Sequence, residues 1–305
     1  MAISIILFII GFVLLVKGGD LFLDGAVYFS RKLHIPEMVI GATIVSLGTT
    51  LPEFMVSMTA AFTGGTEIAY GNAIGSIICN TGLIGSVAIV FGTFCIRRKQ
   101  IFKMIAFLAA MLGFTAFCII GRGEVTRFDG ILLFLMLALY ILSCYEKEEY
   151  PVQTDDQEDT KTMEGLMMAI GIAAVVYGSH LVVDNVTNIA LHLGISRRFI
   201  ALTVVALGTS LPELVTTITS VVKKHGAIGV GNIIGANIMN LGWVIAGSAS
   251  VRPIIIEKNL ALLDFGVAFG LTAIMAAALW SKRKVSKVIG LLLILVYIAY
   301  IVKLN

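Results

Sequence analysis

Glu53 and Glu213 each follow a proline inside a long apolar stretch, and their surroundings copy one another. Residues 41–53 read GATIVSLGTTLPE and residues 201–213 read ALTVVALGTSLPE. The offset of 160 holds through a long gapless stretch: Asp24 falls on Asp184, Gly71 and Asn72 on Gly231 and Asn232, Asn80 on Asn240, Gly82 on Gly242. A carboxylate at mid-membrane costs about 2.5–3.5 kcal/mol on insertion scales, so by default it marks an ion or substrate path. Two of them at equivalent repeat positions imply one site shared between the halves.

The residues around each glutamate extend that chemistry. Ser46, Thr49, Thr50 and Glu53 fall at i, i+3, i+4 and i+7, one face of a helix; Ala206, Thr209, Ser210 and Glu213 repeat the spacing. Pro52 and Pro212 deny each helix one N–H and are expected to free the carbonyls of Gly48 and Gly208. Broken membrane helices use such carbonyls to bind cations. A second wall is expected from Asn72, Ser76 and Asn80, matched by Asn232, Ala236 and Asn240. Interspersed glycines would let those helices approach the broken ones closely. Two carboxylates, hydroxyls, amide oxygens and carbonyls are all hard donors. They suit Ca²⁺ and Na⁺ rather than Zn²⁺ or Cu⁺, and two glutamates neutralise one Ca²⁺.

The elements that must hold these groups are membrane helices. The chain has 305 residues, 58% hydrophobic and 13% charged, as in a polytopic membrane protein set in a lipid bilayer. A net charge of +3 is too small and dispersed for a nucleic-acid partner. Cys79, Cys95, Cys118 and Cys144 have no metal-ligand spacing and read as free thiols. No basic leader or cleavage site marks the first apolar run as a removable signal. Ten spans are expected: roughly 3–28, 36–62, 67–94, 104–121, 128–144, 164–190, 198–222, 228–250, 258–280 and 285–303.

The fold class is therefore all-α and polytopic. Residues 1–145 form a first five-helix repeat with its motif at 41–82, and residues 163–305 a second with its motif at 201–242. Residues 146–162 form an acidic cytoplasmic linker without EF-hand spacing. Five spans per half is odd, so the second half enters from the opposite face and the repeat is inverted. Lys and Arg concentrate in the loops after odd-numbered spans, which puts those loops inside and both termini outside.

GTTLPE with GNAIGSIICN, and GTSLPE with GNIIGANIMN, resemble the two α-repeats of the sodium/calcium exchangers, prokaryotic type, in the cation/calcium exchanger superfamily. The resemblance covers nearly the whole chain. It implies ten helices, four of them packed around the ions, and sodium-driven Ca²⁺ antiport in the cell membrane by alternating access. The first and sixth helices would slide across the core, and the monomer would be the functional unit, with no cofactor. Carried over, it places Ca²⁺ between Glu53 and Glu213 with Thr49 and Thr209. Sodium would use Thr50, Ser76 and the Ser46 carbonyl on one side, and Thr209 or Ser210 with the Ala206 carbonyl on the other. Glu53 and Glu213 would be shared. Asn80, Asn240, Asn72, Asn232, Gly48, Gly208, Pro52 and Pro212 would line the site. Ala236 stands where many members carry serine, which leaves one sodium site short of a hydroxyl. Asn240, where potassium-dependent members carry aspartate, resembles the potassium-independent branch.

Other readings compete. A Ca²⁺/H⁺ antiporter would use the same glutamates as proton carriers. An intramembrane hydrolase would use them as acid and base, but no histidine cluster, nucleophile elbow or GxGD motif accompanies them. A channel would need a continuous pore, which paired buried glutamates oppose. The glutamates could instead be neutral structural acids, the hydroxyls could bond back to their own helices, and Asn72 and Asn232 could merely bridge helices. Lys17, Asp20, Asp24, His180 and Asp184 read as snorkelling or locally paired groups near the ends of the first and sixth spans.

Overall fold

The computed structural model describes residues 2–92, 98–144, 161–193, 206–280 and 287–304. The expected acidic linker lies almost wholly outside the described residues, as does the start of the seventh span. The rest is nearly all helix. Helix α1 (Ala2–Leu33) is followed by α2 (Glu37–Ile40), a π-helical turn (Gly41–Val45), α3 (Ser46–Thr49) and α4 (Leu51–Thr63). Helix α5 (Thr66–Cys79) passes through a π-turn (Asn80–Ile84) into α6 (Gly85–Phe91). Next come α7 (Arg98–Ala116), α8 (Arg127–Cys144) and α9 (Lys161–His192). The motif elements then recur as α10 (Ala206–Gly208), α11 (Leu211–Val222), α12 (Gly226–Met239), a π-turn (Asn240–Ile245) and α13 (Ala246–Val251). Helices α14 (Lys258–Trp280) and α15 (Lys287–Leu304) close the chain.

Among the described residues, seven helical stretches are long and apolar enough to cross a membrane. The α2–α3 and α4 segments, bent by 46° at Thr50, make an eighth if they form one span; α11 and α15 are shorter apolar helices. Several helices overrun the expected limits. The first reaches Leu33 rather than 28, and the fourth begins at Arg98 rather than 104. The added turns carry Arg31, Lys32, Arg98, Lys99 and Lys103, whose long side chains can stay helical while their charges reach water.

Burial ranks the helices. The membrane window of α12–α13 is 94% buried and that of α5–α6 is 72% buried, against 28% for α1, α8 and α9. The repeated motif therefore forms the centre and α1 and α9 lie outside it. The last two pack along a glycine seam. A Cβ added at Gly18 would lie 2.8 Å from the Gly171 carbonyl oxygen, and one at Gly178 would lie 2.8 Å from that of Gly11. Backbone against backbone over that length joins α1 and α9 into one body. Lys223, after α11, bonds Asp24 Oδ1 at 2.9 Å and reaches Asp20 at 3.3 Å, tying α1 to the centre.

The connections fall into two groups. At one end, His225 Nδ1 lies 2.7 Å from Glu37 Oε1, so the turn after α1 meets the turn after α11. At another, a small two-stranded sheet pairs β1 (Glu124–Val125) antiparallel with β2 (Ile254–Ile255). Arg127 donates to the Val251 carbonyl at 3.1 Å there, and the Arg252 guanidinium packs on Gly64. The turns after α4, α7 and α13 thus share one end of the molecule.

Candidate functional site

The site is built where each motif helix breaks. Thr50 sits between α3 and α4 at φ −82°, ψ 1°. Its repeat counterpart Ser210, between α10 and α11, sits at φ −87°, ψ 7°. Both lie in the sparsely populated bridge region, and each is followed within two residues by proline in the first helical turn, where a missing N–H does no harm. The expected freeing of the Gly48 carbonyl is corrected: a backbone N–H at the break reaches Gly48 O, and the Thr50 N–H reaches Ser46 O at 3.0 Å. The tightened turn absorbs carbonyls that an unbroken helix with proline would strand. Each break still aims the carbonyl end of one short helix and the amide end of the next at the same place.

Glu53 and Glu213 stand in the first turns after the breaks and are both 0% exposed. The two carboxyls lie within electrostatic reach of one another, and the Ser210 and Ser76 hydroxyls adjoin Glu53. Thr50 Oγ1 donates to Glu213 Oε1 at 3.2 Å, and the Thr49 hydroxyl adjoins the same carboxyl. Ser210 and Ser76 hydroxyls are 3.5 Å apart. Each half thus lends hydroxyls to the glutamate of the other.

The polar atoms left over identify what the site can hold. Both oxygens of Glu53, Glu213 Oε2 and both polar atoms of Asn80 and Asn240 are buried with no hydrogen-bond partner among the described residues. Burying such atoms unpaired is costly. A buried cluster made mostly of acceptors and built on two carboxyls is one that a hard cation can satisfy. No group of three His, Cys, Asp or Glu able to hold a metal occurs among the described residues; the oxygens gathered here are carboxyl, hydroxyl and amide.

The remaining expected residues fall around this centre. Thr49 Oγ1 donates to Asn232 Oδ1 at 3.0 Å, linking α3 to α12. Asn72 Nδ2 donates to the Glu53 carbonyl at 3.0 Å and to Ser57 Oγ at 2.9 Å, linking α5 to α4. Ser46 is buried and donates back to Thr43 O at 3.1 Å. Ala236 is buried on α12, and Pro52, Pro212 and Gly208 are buried at the breaks. Ala206 opens α10; its side chain lies outside the described residues. Sequence reasoning missed Asn237, whose Nδ2 donates to Thr81 Oγ1 at 2.7 Å between the two central helices. It has no polar repeat counterpart, since residue 77 is isoleucine, so the repeat gave no signal for it.

A cavity of about 560 Å³ abuts the site. It runs from Ser76, Thr209 and Asn72 to Glu67 and Glu257, which are exposed at the end where the turns after α4 and α13 meet. Gly71 and Gly75 line it, and a Cβ added at either would meet nothing. Their repeat counterparts Gly231 and Gly235 have no room. A Cβ at Gly231 would clash with the Met38 carbonyl oxygen, and one at Gly235 would lie 2.6 Å from Ser46 Oγ. The cavity thus reaches Ser76 beside the glutamates along the open α5 face, while the matching face of α12 is closed by close helix packing.

The Sodium/calcium exchanger protein family model matches residues 3–145 and 164–304. The chain belongs to this family. Among curated proteins it is 33% identical to the inner membrane protein YrbG of Escherichia coli, covering 92% of this chain and 90% of that one. It is 27% identical to the sodium/calcium exchanger MaX1 of Methanosarcina acetivorans, covering 99% and 98%. Among solved structures, the sodium-calcium exchanger NCX_Mj soaked with Na⁺ and Ca²⁺ superposes with a TM-score of 0.86 at 27% identity, covering 99% of both chains. Members of this exchanger family are transporters, not enzymes.

Proposed function

We propose that this exchanger moves Ca²⁺ against Na⁺ across the cell membrane by alternating access to the Glu53–Glu213 site. The observation that carries the reading is the pair of fully buried, neighbouring carboxylates with unsatisfied oxygens at two repeated helix breaks. Ca²⁺ sits between Glu53 and Glu213 with Thr49 and Thr209. Sodium ions replace it, using Thr50, Ser76 and the Ser46 carbonyl on one flank and Thr209, Ser210 and the Ala206 carbonyl on the other. Because both ions need the same two negative charges, they exclude each other, and that exclusion couples the fluxes.

The architecture in this reading is ten membrane helices in two inverted five-helix repeats, 1–145 and 163–305, joined by the acidic linker. The matching backbone at Thr50 and Ser210 supports it, as does the π-turn that begins at both Asn80 and Asn240. The grouping of turns at two ends supports the alternation of loops. Basic residues favour the end holding the turn after α1, which is therefore cytoplasmic. The termini and the cavity then face outward, and the α1–α9 pair slides to seal the cavity and open the other side.

The test is Ca²⁺ uptake into proteoliposomes with the voltage clamped by ionophores. An outward-directed Na⁺ gradient is expected to drive uptake. Undiminished uptake with choline replacing Na⁺, driven by a pH gradient alone, would favour a proton antiporter instead.

The repeat is broken where Ala236 stands at the position matching Ser76. Ser76 stands beside Glu53, and nothing equivalent is offered from position 236 to Glu213. Ala236→Ser is expected to lower the Na⁺ concentration for half-maximal exchange by about fivefold, the worth of one net polar contact, with calcium affinity changed much less. Sodium titrations of Ca²⁺ efflux on both proteins measure it; an unchanged or right-shifted curve means the missing hydroxyl does not limit sodium binding.

A further inference from the structure

The cavity wall contains a third carboxylate that the exchange site does not use. Asp264 lies on α14, in an otherwise apolar stretch, and is 5% exposed. Its Oδ1 accepts the Tyr300 hydroxyl of α15 at 2.8 Å. Tyr70 of α5 faces the same carboxylate. It is 1% exposed, and its hydroxyl has no hydrogen-bond partner among the described residues. All three side chains line the cavity. Three helices therefore bring one negative charge and two phenolic oxygens to one point on the wall.

One hydrogen bond does not balance a buried charge. Tyr300 donates to Asp264 and the Tyr70 hydroxyl stands close to it, and the lone pairs of both tyrosines remain to accept. The cavity has room for the waters that would complete a coordination shell. Its charged lining residues, Glu67, Glu257 and Asp264, are all acidic, and a narrow low-dielectric space lined by one sign of charge concentrates counter-ions. Cys79 and Tyr297 line the same cavity, and Cys79 lies within electrostatic reach of both glutamates.

We propose that Asp264, Tyr70 and Tyr300 form a second cation site, a Na⁺ station in the cavity wall apart from the paired glutamates. The station rests on the reading of the cavity as the ion route. A single carboxylate with neutral oxygens matches a monovalent hard cation. Ca²⁺ takes 6–8 oxygens and is held here by two carboxylates at the exchange site. The station raises the local Na⁺ concentration on the cavity side and shortens the last step to Ser76 and Thr209.

Binding of radioactive Na⁺ to the purified full chain tests it without transport. In the Glu53→Gln, Glu213→Gln double variant, saturable Na⁺ binding is expected to remain. Adding Asp264→Asn should weaken it by about tenfold or more, the loss of one charged contact. Asparagine can still accept from Tyr300, so the helix link survives. Should that variant fail to fold, Tyr70→Phe removes one oxygen, leaves the Tyr300–Asp264 bond, and should weaken binding severalfold. Isotherms that coincide with and without these substitutions overturn the station. Failure of the otherwise wild-type protein to exchange Ca²⁺ for Na⁺ is a separate result that sinks the exchange reading and leaves the binding comparison standing.

Discussion

Glu53→Gln and Glu213→Gln should each reduce Ca²⁺ uptake to the level of empty vesicles, with the variant protein still folded in the membrane. Both carboxylates are 0% exposed and three of their four oxygens lack a partner among the described residues. A unit charge about 4 Å from another gains about 4 kcal/mol at an effective dielectric of 20, and a divalent cation gains more. At a tenfold change per 1.4 kcal/mol, removing one carboxylate lowers Ca²⁺ affinity by about a thousandfold or more. Folding does not suffer in proportion, because the amide is nearly isosteric and relieves the repulsion between two neighbouring anions. Uptake in proteoliposomes, beside gel filtration of the same preparations, measures both halves of the expectation. Wild-type rates in either variant would refute the assignment.

The second large effect concerns helix approach. Gly231→Ala or Gly235→Ala should destabilise the fold by about 1–3 kcal/mol or more, the usual cost of overpacking, because the new methyl meets backbone and not the end of a flexible side chain. Gly71→Ala and Gly75→Ala, the same change on the repeat-related helix, should leave stability near wild type, since a Cβ there meets nothing. The fraction of monodisperse protein surviving a heating series compares the four variants. Equal losses in both pairs, or none in either, would contradict the one-sided closure described above.

That contrast also shows where the sequence stops being readable. Helix breaks, oxygen donors and the pairing of Glu53 with Glu213 are legible because proline, hydroxyl and carboxylate have strong local consequences that the repeat doubles. A repeat is symmetric in residues, while any single conformation of an alternating transporter is not. Nothing in GNAIG against GNIIG says that Gly71 borders a cavity while Gly231 is clamped to Met38. The Gly48 carbonyl was misread for a related reason: proline removes a predictable N–H, but the turn can tighten and hand the carbonyl another donor. Asp264, Tyr70 and Tyr300 are spread over positions 70 to 300, 230 residues apart at the extremes, and only folding makes them neighbours. Asp264 alone in its apolar run gave no partner to read.

The glycine seam between α1 and α9 makes the surrounding lipid part of the energetics. In the proposed exchange cycle two helices in such close backbone contact would travel as a single bar, whose outer ridge exposes Ile6, Phe12 and Val13. Any travel along the membrane normal shifts that apolar belt against the hydrocarbon slab, at fractions of a kcal/mol per Å of mismatch. A thicker or thinner leaflet then acts as a spring on the bar. On that reading it would bias the balance between outward and inward states without touching an ion ligand.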